Sequence, residues 1–224
     1  VCSAALCDSS GPVDLRESSG EKSHASLLTV FIGELLERAG LKANDLEAVA
    51  VSKGPGSYTG LRIGVSTAKG IAYAASLPLI GVETTLSMFY GIDGNMKRKY
   101  GLDAGSLFIP MLDARRMEVY YSILDAEGRT LKETSAEIID ENSFSDIPPD
   151  RKLIFFGDGA GKCREIIRRG NIAFADEFRI SASYMYLPAF KSLRQQTFED
   201  IAYFEPFYLK DFITSRPKKN ILGR

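Results

Sequence analysis

The chain has a single histidine, His24, in 224 residues. That count removes every two-histidine metal motif, HExxH and HxxxH included, and leaves only carboxylate or mixed donor sets. A serine triad would have to use His24, and no GxSxG elbow supplies its nucleophile. Placed after Ser23 where a helical pattern begins, His24 reads as a capping or surface residue. Cysteine is scarce as well. Cys2, Cys7 and Cys163 show no CxxC spacing, and an odd number closes no disulfide framework, which points to a reducing cytoplasm. Neither sign of charge is in excess: a formal net charge of -1 gives no general attraction for nucleic acid, so any RNA would be held mostly by a partner. No apolar run of about eighteen residues and no charged leader is visible, so neither a membrane span nor a signal peptide is expected. The first residue is valine, and "VCSAALCD" reads as a strand cut into from its left, so residues before Val1 are expected in the natural protein.

What is present is ordinary for a globular protein: 45% hydrophobic and 25% charged residues, enough for one large domain or two modest ones. "VCSAALCD" and "VDLRESS" predict a hairpin turning at Ser9, Ser10 and Gly11. From His24 to Gly40 apolar residues recur at three and four and end at a glycine, as an amphipathic helix does. "LEAVAVSKG", "LRIGVSTAKGIAYAAS" and "PLIGVE" then follow as strand, helix and strand, a βαβ unit with a parallel pair. After a short helix at about Thr84 to Tyr90, the polar "GIDGNMKRKYGLDAGS" marks the boundary between two lobes, residues 1–92 and 105–224. The second lobe opens on alternating segments on both sides of Asp125 to Gly128, a hairpin signal. "KLIFFGDGAGKCREIIRR" repeats the order strand, glycine turn, helix; a further helix near Ala182 to Gln195 and an aromatic tail complete the chain.

Two glycine turns carry the chemical question. In "VSKGPGSYTGLRIGVSTAKG" a strand ends at Ser52 and a helix starts near Thr59 or Gly60, so free N–H groups and a helix N-terminus could hold an anion. Lys53, Gly54, Gly56 and Arg62 are the candidate residues. The competing reading is a tight turn, with Gly60, Gly64, Ala68 and Ala72 letting the helix pack closely. The spacing matches neither GxxxxGK[ST] nor GxGxxG. "GDGAGKC" fails the same test, and is expected to be a strand-to-helix turn. "DARRMEVY" groups Asp113 with two arginines and reads as a solvated charge pair.

The apolar faces are better furnished. On the second helix Leu61, Val65, Ala68 and Ala72 can face a sheet, while Ile63, Thr67, Gly70, Ile71 and Ala74 form a second face. With Leu28, Phe31, Ile32 and Leu35 of the first helix, they could present an interface of the usual size, about 800 Å² per partner. Phe204, Phe207, Tyr208 and Phe212 of the tail could cover the second lobe or dock on a partner, and covering is the expectation, since aromatic stripes are more often core.

"SKGPGSYTGLRIGVSTAKGIAYA", followed by "PLIGVETTLSM" and "DARRMEVYY", closely resembles the TsaB (YeaZ) family, bacterial accessory proteins for threonylcarbamoyladenosine formation in tRNA. The resemblance implies an α/β fold of the actin-like ATPase type: two ribonuclease-H-like lobes, mixed sheets and flanking helices. It implies a non-catalytic partner of TsaD, the paralogue that carries a metal on HxxxH and transfers threonylcarbamoyl to adenosine beside the anticodon of tRNAs reading codons that start with A. A TsaE-type ATPase joins the pair, the chain pairs with itself when TsaD is absent, and tRNA is met through the complex. No cofactor of its own is implied; ATP and metal belong to the partners. The first two helices are the implied contact with TsaD. Two other readings compete: an actin-fold small-molecule phosphotransferase, which needs ATP and a carboxylate-held magnesium, and a peptidase, which lacks a nucleophile motif.

Overall fold

The computed structural model describes residues 1–18 and 24–209, with the side chains of residues 24–26 outside that description. Strands β1 (Cys2–Asp8) and β2 (Gly11–Ser18) pair antiparallel, and Asp8 closes their turn by accepting from the backbone N–H and hydroxyl of Ser10. Helix α1 (His24–Ala39) ends at Gly40, whose φ of +68° suits a residue without a Cβ; Gly40 and Leu41 N–H donate to the Glu37 and Leu36 carbonyls. The helix lies on the hairpin and is tied to β2 by Arg16–Glu34 at 2.9 Å and Arg38–Asp14 at 3.3 Å.

Strand β3 (Val49–Gly54), helix α2 (Tyr58–Ala75) and β4 (Leu79–Glu83) form the expected parallel unit. The Ser57 hydroxyl caps α2 by accepting from Gly60 N–H, and Ser76 at φ +55° ends it. Its buried stripe is Leu61, Val65, Ala68 and Ala72, the set that the 3.6-residue period selects. Val51, Val65, Ala68, Ala72, Leu79 and Phe204 close one core, where each fully buried Leu or Val contributes about 1.5–3 kcal/mol.

Helix α3 (Thr84–Tyr90) contacts both β3–β4 and the large sheet. The stretch read as a lobe boundary is not simple loop: Asp93 caps a short helix, α4 (Gly94–Lys99), by accepting from Met96 N–H at 2.7 Å. A five-stranded sheet follows in the order β7-β6-β5-β8-β9, built from β5 (Leu107–Asp113), β6 (Glu118–Leu124), β7 (Thr130–Ile138), β8 (Leu153–Phe156) and β9 (Ile172–Ala175). Its centre is apolar on both faces. Leu153 and Phe155 of β8 enter one core with Ile109 and Met111, while Ile154 and Phe156 enter the other with Phe108 and Met88.

Two expectations change here. No helix follows β8: "GDGAGKC" leads into a 3-10 turn, Gly161–Cys163, and the chain beyond it is held by short-range bonds such as Cys163 N–H to the Ala160 carbonyl and Ile166 N–H to the Cys163 carbonyl. The last helix splits into a 3-10 turn, Ala182–Met185, and α5 (Tyr186–Arg194), with Pro188 in its first turn, where a missing N–H costs little. Among the described residues no helix is long and apolar enough to cross a membrane.

Candidate functional site

The glycine turn after β3 is where the sequence located its candidate anion site. Gly54 has φ +118° and Gly54–Pro55 is cis. The space above the turn is taken by the chain's own tail. Phe207 N–H donates to the Lys53 carbonyl at 2.6 Å, and a Cβ at Gly54 would sit 2.6 Å from the Phe207 carbonyl oxygen. Gly54 is therefore glycine because two backbones, more than 150 residues apart in sequence, meet there. Gly56 plays a lesser part, since a Cβ there would touch only Leu61 at ordinary distance.

The tail is fixed at four more points. Glu199 N–H donates to the Leu79 carbonyl at 2.8 Å, extending the edge of β4. Lys69 of α2 donates to the Phe204 and Ala202 carbonyls at 2.9 and 3.3 Å. Phe204 enters the core of β3, β4 and α2, and Tyr208 lies against Tyr58 with ring centroids 5.0 Å apart. These contacts correct the expectation that the tail covers the second lobe: Phe204, Phe207 and Tyr208 cover the first, because Gly54 and Gly81 leave room on that side. Phe212 lies outside the described residues.

Electrostatics disfavour a phosphate at this place. Lys53 lines a groove of about 610 Å³ together with Glu83, Glu199, Asp200 and Glu205, so along its lining carboxylates outnumber the single ammonium. Arg62 points elsewhere, its guanidinium 5.1 Å from the centre of the Tyr58 ring. A nucleotide, which the fold type brings to mind, does not fit these donors. Nor do three or more His, Cys, Asp or Glu side chains group as a metal site among the described residues.

The second glycine turn meets the "DARR" loop. A Cβ at Gly157 would run into the Met111 carbonyl and the Met88 methyl, and Gly159 N–H donates to the Met111 carbonyl at 3.0 Å. Asp113 pairs with Lys162 of the glycine turn rather than with the arginines beside it; Asp113 N–H donates to Asp158 at 3.0 Å. Lys162 also donates to the Glu118 carbonyl at 2.7 Å. Arg115 and Arg116 are exposed at the tip.

The outward face of α2 lies as the period suggests: Gly70 and Ala74 are exposed, Ile63, Thr67 and Ile71 half-buried, and Tyr73 is 79% exposed. On α1, Leu28, Phe31 and Ile32 are half-buried, whereas Leu35 is buried within the chain and has no surface to offer. Val30, half exposed, was not foreseen. The sequence also gave no warning of Lys69 or of the acidic wall; only the crowding of aromatic and acidic residues in "FEDIAYFEPFY" signals a segment that docks.

The family described as "TsaD: tRNA N6-adenosine threonylcarbamoyltransferase" matches residues 18–212. The chain is 35% identical over 122 residues to the tRNA threonylcarbamoyladenosine biosynthesis protein TsaB of Escherichia coli (strain K12), covering 54% of this chain and 49% of that protein. It is 46% identical over 67 residues to the tRNA N6-adenosine threonylcarbamoyltransferase of Halalkalibacterium halodurans, over 30% of this chain and 20% of that one. The chain spans about half the length of the TsaB relatives it matches. In fold it is similar to YeaZ from Pseudomonas aeruginosa, with a TM-score of 0.75 at 20% identity over 93% of this chain and 94% of that one. A second structure, titled an uncharacterized protein with similarity to peptidase YEAZ from the same organism, gives 0.76 at 22% identity, over 93% of this chain and 94% of that one. The architecture is thus the actin-like α/β fold, and the chain belongs to the TsaD family of tRNA N6-adenosine threonylcarbamoyltransferase, on its TsaB (YeaZ) branch.

Proposed function

We propose that this chain is a non-catalytic partner of a TsaD-type threonylcarbamoyltransferase in forming threonylcarbamoyladenosine beside the anticodon of tRNAs that read codons starting with A. The observation that carries the reading is the state of the first glycine turn: the chain's own tail fills it, carboxylates line it, and what it leaves on view is α2. The names of the relatives support the pathway, and the single histidine leaves no HxxxH pair in this chain. The partner supplies the metal and the transfer chemistry, a TsaE-type ATPase joins the pair and supplies ATP turnover, and tRNA reaches this chain through the complex in the cytoplasm. Alone, the chain pairs with a second copy through the same face.

The contact is α2 through Ile63, Thr67, Gly70, Ile71 and Ala74, with Leu28, Phe31 and Ile32 of α1 beside it. Half-buried apolar residues on an outward helix face gain by being covered, and an unpaired charge placed there costs several kcal/mol on docking, about 2 or more. Ile63→Asp and Ile71→Glu are therefore expected to abolish co-elution with the TsaD homologue while circular dichroism stays that of the folded chain. Unchanged affinity in both variants would count against the reading.

A further inference from the structure

The sharpest backbone irregularity in the described residues is at the tip of the β5–β6 loop. Arg115 and Arg116 have φ of +71° and +49°, the only consecutive non-glycine pair with positive φ among the described residues. Hairpin turns that place residues in the left-handed region fill those positions with glycine, asparagine or aspartate, which tolerate it. Two arginines there are strained, and the rest of the loop is built to hold them. Ala114 N–H donates to the Glu118 carbonyl and Glu118 N–H to the Arg115 carbonyl. Asp113 accepts from Arg115 N–H at 3.0 Å and is itself engaged by Lys162.

That last contact matters for charge. Asp113, the carboxylate that holds the Arg115 N–H, is paired with a lysine from another loop, and among the described residues neither guanidinium is in an ion pair or a side-chain hydrogen bond. Elsewhere Arg16, Arg38, Arg129 and Arg164 pair with carboxylates. A strained, hydrogen-bonded loop thus presents two planar donors, at a place in the large sheet separate from α1 and α2, which pack against β1 to β4. Strain kept at an exposed tip marks a position selected for something other than stability.

We propose that the Arg115–Arg116 tip grips the phosphate backbone of RNA, the forked guanidinium groups matching phosphate oxygens. The inference rests on the tRNA-modification reading above. With the partner on the α1–α2 face, the tip remains free to meet the tRNA held by the complex, and adds two charge contacts to it.

The test is the double variant Arg115→Asn, Arg116→Gly, which removes the charges and relieves the strain. Its melting temperature is expected to rise by about 2–4 °C. The complex with the TsaD homologue should form as before, while affinity of that complex for a transcript of a tRNA reading codons that start with A falls roughly tenfold at low salt, with a salt slope shallower by about 1–2. Arg115→Gln, Arg116→Gln keeps the strain and should lose the same affinity with no gain in melting temperature. An assembled variant complex that binds tRNA as tightly as wild type overturns the proposal. Loss of assembly itself also overturns it, since the arginines would then be holding acidic protein. A wild-type chain that never assembles with the TsaD homologue defeats the proposed function, and this inference with it.

Discussion

The two glycine turns, Gly54–Gly56 after β3 and Gly157–Gly161 after β8, look alike in sequence and differ in what closes them. Both follow a strand with a buried end, and both have a first glycine with φ above +100°. Gly157 is clamped by β5, its neighbour in the sheet, through the Met111 carbonyl. Gly54 is closed by Phe207, from a tail that arrives last in the chain. The first turn launches an 18-residue helix with a face left over, whereas the second launches only a 3-10 turn. A glycine turn between strand and helix therefore need not be a phosphate loop. In both places glycine serves close approach of backbone to backbone.

The comparison can be broken by adding one methyl group to each turn. Gly157→Ala should be the more damaging, by about 4 kcal/mol in urea unfolding, because the obstacle is the middle of a buried sheet that cannot move and φ +103° disfavours any L residue. A stability within error of wild type would refute the clamp. Phe204→Ala tests the anchor of the tail that closes the first turn: it empties a place in the core of β3, β4 and α2 and should cost about 3 kcal/mol. Gly54→Ala carries the same positive-φ strain, at +118°, but meets a tail that can lift away, so it should cost less, about 2 kcal/mol. The same substitution should expose the chain to proteolysis between residues 199 and 208, and a cleavage pattern equal to wild type would show that the tail does not seat on Gly54.

The smallest effect is expected away from both turns. Lys99 and Tyr100 donate to Glu177, holding its carboxyl down at about 2 against an ordinary 4.5. A depressed carboxyl contributes stability that is present above pH 4.5 and lost as pH falls toward 2. The pair is exposed and salt-screened, so Glu177→Gln should only flatten the acid limb of the stability curve over that window. A change at neutral pH larger than those at the turns would mean that the turns are not the stressed points of the fold.

Much of the fold was legible in the sequence because its period matches its burial. The stripe Leu61, Val65, Ala68 and Ala72 and the bounds of α3 both emerge from spacing alone. Strand β9 was not found: "IAFA" is too short to show alternation and lies behind Gly170 and Asn171. Lys53 and Arg62 read as a basic pair flanking an anion; folding places the first in a groove lined by carboxylates that are distant in sequence, and lays the second over the Tyr58 ring one helical turn back. Leu35 fits the outward face by spacing, yet the hairpin β1–β2 and α2 both contact α1, so that part of its broad apolar face is covered inside the chain. Local period reports which residues seek cover; it cannot say which part of the chain supplies it.

The most direct test of the account is an isothermal titration of this chain against the TsaD homologue of the same organism, with light scattering on the mixture. The account predicts saturable one-to-one binding with a dissociation constant of about 1 μM or tighter, as an interface of standard size supports. A folded chain that gives no heat and no complex would contradict it, and would mean that the face α2 displays is not there for that partner.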